Sequence, residues 1–354
     1  MTPTTATHST PVTPPGNGGV AAPVTMIELL AGFQVSQALY AVAKCEIATA
    51  LVAGPRPVAE LAEATGCHPE ALRRLLRTLA GVGLFTHGDD GTVALTELGA
   101  TLADGVPGSM RNMALMLIET QYAPFARLVD TVRTGEPAAT VHYGQPFFDW
   151  LVGDPEMVTR FTAAMADHTD GIKRGALAGY RLPVGQIVAD IGGADGALLA
   201  ELLAADPDQS RQGIVFDLPH VVSAAPALLA ERGLGARVSA QGGNFFDALP
   251  AADVYVLSSI LHDWDDAHDA RILAGIAAAA APGAHLVIIE LVIPPGDEPH
   301  IAQSFDLTML GMVTGKERSG AEFETLLADA GFTLERVLPG SEGSPYSILE
   351  AVRV

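Results

Sequence analysis

Cysteine is nearly absent from this 354-residue sequence, and basic residues are scarce. The two cysteines, Cys45 and Cys67, stand 22 positions apart with no Cys-x-x-Cys and no His/Cys grouping. That excludes a disulfide framework, gives no zinc signature and fits a reducing cytoplasm. Twenty Lys and Arg face forty-one Asp and Glu, for a net charge of −21 and a pI near 4.7. Nucleic-acid phosphates are held by clustered Lys and Arg, so nucleic acid is not an expected partner. Long uninterrupted apolar runs are also missing. The most apolar stretch, Ile272 to Ile293, is broken by Pro282-Gly283 and carries His285 and Glu290. It reads as an Ala-rich helix, a turn and a buried strand, and no membrane span is expected. The N-terminus lacks the basic start and apolar centre of a signal peptide. Its first 20 residues hold no Lys, Arg, Asp or Glu, and residues 1–22 are expected to form a disordered tail.

What remains is rich in core material. Hydrophobic residues make up 49% and charged residues 17%, with a mean hydropathy of +0.29. The length suggests two domains or three. Residues 23–108 read as one of them. Met26–Tyr40 and Ala41–Val52 carry apolar residues at helical spacing, followed by a short helix in Pro57–Gly66 and a longer one from His68 that ends at Gly81/Gly83. Thr86–Thr96 reads as a hairpin turning at Asp90-Gly91. Helix, turn, helix and hairpin make a winged helix. Residues 1–110 hold five basic and nine acidic side chains, which suits a scaffold or dimerisation module better than a DNA reader.

Residues 109–182 are helical again, with Met and aromatic residues at core spacing and some available to line an adaptable apolar pocket. From 183 to 354 strands alternate with helices. The strands are Gln186–Gly193, Gly213–Pro219, Arg237–Phe246, Ala252–Ile260 and His285–Ile293, with two more near Leu334–Leu338 and Tyr346–Val352. Near-continuous apolar strands separated by helices imply a doubly wound, mostly parallel α/β sheet covered on both faces. Ser319–Glu322 has capping-box spacing for a further helix.

Two constellations carry chemistry. In DIGGADG (Asp190–Gly196) a strand runs into glycines and opens a helix. Its backbone can approach a ligand closely, and the helix start offers free N–H groups. Asp217 ends the next strand, 21 residues after Gly196, where a carboxylate can accept both hydroxyls of a ribose. These features favour an adenosine-containing ligand without separating a nicotinamide dinucleotide from S-adenosylmethionine. LSSILHDWDD (Leu257–Asp266) then lies at the carboxyl end of the fourth strand, where a doubly wound sheet places its ligands. An isolated Glu290 inside an otherwise apolar strand also demands a partner, because an unpaired buried carboxylate is costly.

From about Thr25 to Val354 the sequence resembles the S-adenosylmethionine-dependent O-methyltransferases of the plant caffeate/flavonoid type and their actinobacterial relatives of secondary metabolism. The resemblance rests on DIGGADG, FDLP (Phe216–Pro219), GGNFF (Gly242–Phe246), LHDWDD (Leu261–Asp266), IIELVIP (Ile288–Pro294) and GKERS (Gly315–Ser319), in the family's order. It implies a Rossmann-like class I methyltransferase domain behind a winged-helix dimerisation domain, and a homodimer. It assigns His262 as general base, bracketed by Glu290 and Glu317. It places Gly192 beside the methionine moiety, Asp217 on the ribose, Asn244 and Phe245 at the adenine, and Ser258 near the cofactor. Asn244 departs from the usual Asp, and Ala194 from a frequent third glycine. By the same alignment Phe161, Met165, Met309 and Met312 line the pocket for a small aromatic hydroxylated acceptor. No metal is expected. A same-fold protein with lost or altered chemistry, and a winged-helix regulator, remain the competing readings.

Overall fold

The computed structural model describes residues 21–340 and 344–354. Most of the expected tail therefore lies outside the described residues; its last two positions, Ala21 and Ala22, cap and begin the first helix. The N-terminal helices are α1 (Ala22–Leu30), α2 (Gly32–Lys44) and α3 (Ile47–Leu51). The sequence placed one break near Tyr40; the structure puts breaks at Ala31 and at Cys45-Glu46, where Glu46 takes a left-handed φ of 55°. Apolar periodicity runs unbroken through both points, so it could not register them.

The winged helix follows. Helices α4 (Val58–Thr65) and α5 (Pro69–Ala80) are joined by a left-handed Gly66, and the His68 side chain accepts from Ala71 N–H to start α5. Leu72, Leu76 and Leu79 bury one face of α5, while Arg73, Arg74 and Arg77 stay exposed, Arg73 in an ion pair with Glu70. Strands β1 (Arg56–Pro57), β2 (Phe85–His87) and β3 (Thr92–Leu95) form an antiparallel sheet with β3 central. Between the two domains run short helices, twice widened into π turns, at Leu117–Gln121 and Thr169–Lys173. Such turns recur at functional sites.

The second domain is built on β4 (Ile187–Ile191), β5 (Gln212–Asp217), β6 (Val238–Gly242), β7 (Val254–Ser258), β8 (His285–Ile293), β10 (Phe332–Pro339) and β11 (Tyr346–Arg353), with a two-residue β9 (Arg318–Ser319) on the tip of β8. Their order is β10-β11-β8-β7-β4-β5-β6. Strands β4 to β8 are parallel, and β11 lies antiparallel between β8 and β10. Separate apolar cores cover the two faces, as continuous Val/Ile/Leu strands require. From β4 the chain proceeds outward through β5 and β6, then returns to place β7 on β4's other side. The reversal opens a crevice at the carboxyl ends of β4 and β7. Glycine loop, Asp217, Ser258 and His262 all sit along that rim.

Candidate active site

The connection after β7 carries the candidate base. Leu261–Asp263 form a single 3₁₀ turn that lifts His262 to the crevice. Its Nδ1 is 2.9 Å from Glu317 Oε1 and 3.7 Å from Glu290 Oε2, while Nε2 has Asp263 Oδ1 at 3.7 Å. Both glutamates therefore sit on the Nδ1 side. Glu290 is fully buried in β8, and its Oε1 accepts from the backbone N–H of Ile260 (2.9 Å) and Leu261 (3.1 Å). The sequence explained this carboxylate by the imidazole; the structure satisfies it chiefly with two amides of the turn itself. Glu290 thus holds the turn, and Glu317 holds the ring.

Burial alone opposes charge on His262, but Glu290, Asp263 and Glu317 outweigh it and push its pKa up to about 10. Burial raises the carboxyl of Glu317, against the pull of His262. One nitrogen and two carboxylates within 4.8 Å also form the donor set, among the described residues, that could hold a metal ion. Glu317 Oε1 meets the imidazole and Glu290 Oε1 accepts two amides, while the second carboxylate oxygen of each is buried without a hydrogen-bond partner.

The GKERS segment locks this arrangement from behind. A Cβ added to Gly315 would fall on the carbonyl oxygen of His262, so only glycine lets the segments pass. Arg318, buried at 1% exposure, donates to the carbonyls of Leu261 (2.9 Å) and Trp264 (3.3 Å) and pairs with Asp266 and Asp269. Both belong to the GKERS motif, which by itself assigns neither of them these contacts.

On the opposite side of the crevice, Gly192 (φ 76°) and Gly196 (φ 79°) turn the loop after β4. Asp217 ties that loop down: its Oδ2 accepts from Ala194 N–H at 2.9 Å and its Oδ1 from Leu218 N–H at 2.6 Å. Each oxygen keeps a further lone pair for a ligand hydroxyl. Beneath the loop lies Asp190, buried, its Oδ2 without a hydrogen-bond partner, its pKa raised to about 7 by burial and then by Asp217. A Cβ at Gly193 would lie 2.7 Å from that oxygen. The Asn244 side chain accepts from Phe246 N–H at 3.0 Å, and Phe245 packs edge-on against Trp264.

The expected acceptor residues fall into two pairs, each about one turn apart on its helix. Phe161 and Met165 lie on the Pro155–His168 helix, both partly buried; Met309 and Met312 lie on the Ile301–Met312 helix, both buried. Phe161 and Met312 join one apolar cluster with Phe147 and Trp150. For those two, packing is at least part of their role.

With this geometry in place, comparison with known proteins is decisive. Residues 125–333 match the model of the O-methyltransferase domain, and residues 27–105 that of the O-methyltransferase dimerisation domain. The chain belongs to the S-adenosylmethionine-dependent O-methyltransferase family. It is 40% identical over 94% of its length to the phenazine O-methyltransferase PhzM of Lysobacter antibioticus, covering 97% of that protein. The crystal structure of the O-methyltransferase NcsB1 of neocarzinostatin biosynthesis, holding S-adenosylmethionine and 2-hydroxy-5-methyl naphthoic acid, aligns with a TM-score of 0.76 at 37% identity, over 90% of this chain and 96% of that one. The aclacinomycin 10-hydroxylase RdmB of Streptomyces purpurascens is 33% identical over 93% of this chain and 90% of that one. The cofactor of this O-methyltransferase is S-adenosylmethionine. The crevice suits it: an orphaned Asp190 oxygen and several buried carboxylates face a ligand that carries an ammonium and a sulfonium.

Proposed function

We propose that this O-methyltransferase transfers the methyl group to a phenolic hydroxyl of a small aromatic secondary metabolite, with His262 as general base. The observation that carries the reading is the 2.9 Å contact of His262 Nδ1 with Glu317. If Nδ1 bears the hydrogen of that contact, Nε2 is left as the acceptor for a substrate proton, the arrangement of a triad histidine. Phe161, Met165, Met309 and Met312 are assigned to the acceptor side. Gly192, Asp217, Asn244, Phe245 and Ser258 are assigned to the cofactor. A cytoplasmic setting is assigned on the sequence, whose two cysteines give no disulfide framework.

S-adenosylmethionine supplies a methyl group made electrophilic by its sulfonium, together with a positive charge. The protein's share is positioning and proton removal. A phenol of pKa ~10 is mostly protonated at neutral pH. In the cofactor-free chain the surrounding carboxylates keep His262 protonated as well. A bound cofactor's positive charge would offset those carboxylates and ease release of the His262 proton. The free imidazole would then take the phenolic proton at Nε2 as the oxygen accepts the methyl group and S-adenosylhomocysteine leaves as a neutral thioether. Glu317 stabilises the imidazolium that results, and Glu290 keeps the turn from shifting.

Replacing His262 with Ala is expected to lower turnover roughly 10²–10⁴-fold, the usual worth of a positioned base. Affinity for S-adenosylmethionine, measured by calorimetry, should stay nearly unchanged. Near-wild-type turnover at neutral pH would remove His262 from the mechanism and leave proximity alone. The hydroxylase among the relatives favours one second reading, altered chemistry on the same fold. Product mass separates the two, since methylation adds a CH₂ unit and hydroxylation an oxygen.

A further inference from the structure

We infer that Lys173 receives the α-carboxylate of S-adenosylmethionine. It is one of three lysines in the chain and plays no part in the proton transfer described above. The inference rests on the cofactor assignment and adds to it a residue from outside the sheet domain's own motifs.

Lys173 ends the π turn Thr169–Lys173, which carries its side chain to the carboxyl end of β7. There Nζ lies 3.4 Å from Ser258 Oγ and 5.6 Å above the ring of Tyr346. Among the described residues, the contacts it reaches are a neutral hydroxyl and an aromatic face. Burial pulls its pKa down, while Glu290, Asp190, Asp263 and Glu317 act in the opposite sense. A partly buried cation is costly to keep, and one whose Nζ lies at a ligand crevice with its titration perturbed is a functional candidate on physical grounds.

Strand order says which part of the ligand arrives there. Along the rim the order is β5, β4, β7. Asp217 ends β5, the glycine loop follows β4, and Ser258 ends β7. A molecule whose ribose sits on Asp217 and whose thioether arm passes Gly192 brings its amino-acid end to β7. The carboxylates around the crevice serve the ammonium and the sulfonium. They repel the ligand's own carboxylate, which needs a cation at that end of the rim. Lys173 supplies it as a point charge.

The test compares two ligands that differ only at that end. S-adenosylhomocysteine carries the carboxylate; 5′-methylthioadenosine keeps adenine, ribose and thioether but lacks the amino-acid arm. In titration calorimetry, Lys173→Gln should weaken S-adenosylhomocysteine about 10- to 100-fold, as expected for one charge-assisted hydrogen bond. The same variant should bind 5′-methylthioadenosine as wild type does, and Lys173→Arg should recover much of the lost affinity. Equal weakening of both ligands would overturn the inference, because Lys173 would then only be holding the crevice together. Unchanged S-adenosylhomocysteine affinity would overturn it too. Failure of the wild-type protein to bind either ligand would instead remove the cofactor assignment, and the inference with it.

Discussion

Ala194 stands where the backbone asks for glycine. Its φ is 49°, in the left-handed region, and its N–H must reach Asp217 from there. An L-residue held in that region costs roughly 1–2 kcal/mol. Ala194→Gly should therefore raise stability by about 1 kcal/mol, less the extra entropy glycine loses on folding. A thermal melt would read this as a rise of a few degrees, and a fall would show that the Ala194 methyl is needed for packing. His262 makes a prediction of a different kind. Its folded-state pKa is raised to about 10, above the ~6.5 of a free imidazole. The stabilisation it contributes is then fully present below pH ~6.5 and is lost as pH rises toward 10. The cofactor-free protein should melt at progressively lower temperature across that window, and His262→Asn should flatten the decline. Parallel profiles for the two proteins would mean that the carboxylates do not hold an imidazolium.

At the scale of elements, the site is a junction between the turn that follows β7 and the segment that leads from a helix into β9. The turn after β7 presents His262, and the connection from the Ile301–Met312 helix to β9 presents Gly315, Glu317 and Arg318. Close approach is the condition for both. Gly315→Ala would place a methyl group on the His262 carbonyl, and one segment must move. Overpacking of this sort costs ~1–3 kcal/mol, and here the displacement falls on the turn that carries the proposed base, His262. Turnover should drop well beyond what the loss of stability explains, while 5′-methylthioadenosine, which the proposed ribose assignment puts at Asp217, should bind nearly as before. Full activity with an unchanged melting temperature would mean that the segments have slack the structure does not show.

For the whole molecule the open question is what covers the N-terminal helices. Met26, Ile27, Leu29, Leu30 and Phe33 are each 55–70% exposed, a contiguous apolar surface of the kind that subunits bury. Beside it an apolar groove of about 680 Å³ runs between α2 and the helices after Met110, lined by Phe33, Leu39, Met113, Leu117, Tyr122 and Phe125. The matching dimerisation domain spans the same region. No single helix among the described residues is long and apolar enough to cross a membrane, although α1 and α2 pass by length and composition as a bent pair. We propose a two-fold homodimer near 73 kDa, twice 36.7 kDa, with this surface at its centre. Deleting residues up to 105 should give aggregated or inactive protein. Light scattering that found an active monomer at micromolar concentration would sink the proposal.

The sequence by itself determined the parts whose information is local. Strand β8 was bounded to the residue, because an apolar run ending at Pro294 has one reading, and the capping box at Ser319 and Glu322 is as expected. Glycines in DIGGADG marked the left-handed turn after β4, and a lone glutamate among Val, Ile and Leu announced a buried partner. Which groups meet was decided by tertiary structure. His262 and Glu317 are 55 residues apart and Lys173 and Ser258 are 85 apart, so no periodicity links them. The family resemblance supplied the first pair and had nothing to say of the second. Lys173 looks like any exposed helical lysine until a π turn shifts it toward β7. Arg318 looks like a surface charge until β9 pairs with β8 and drives it under the His262 turn. Pattern reports which face of an element is apolar; only packing brings two distant polar side chains to one point, and there the cost of burying charge selects what survives.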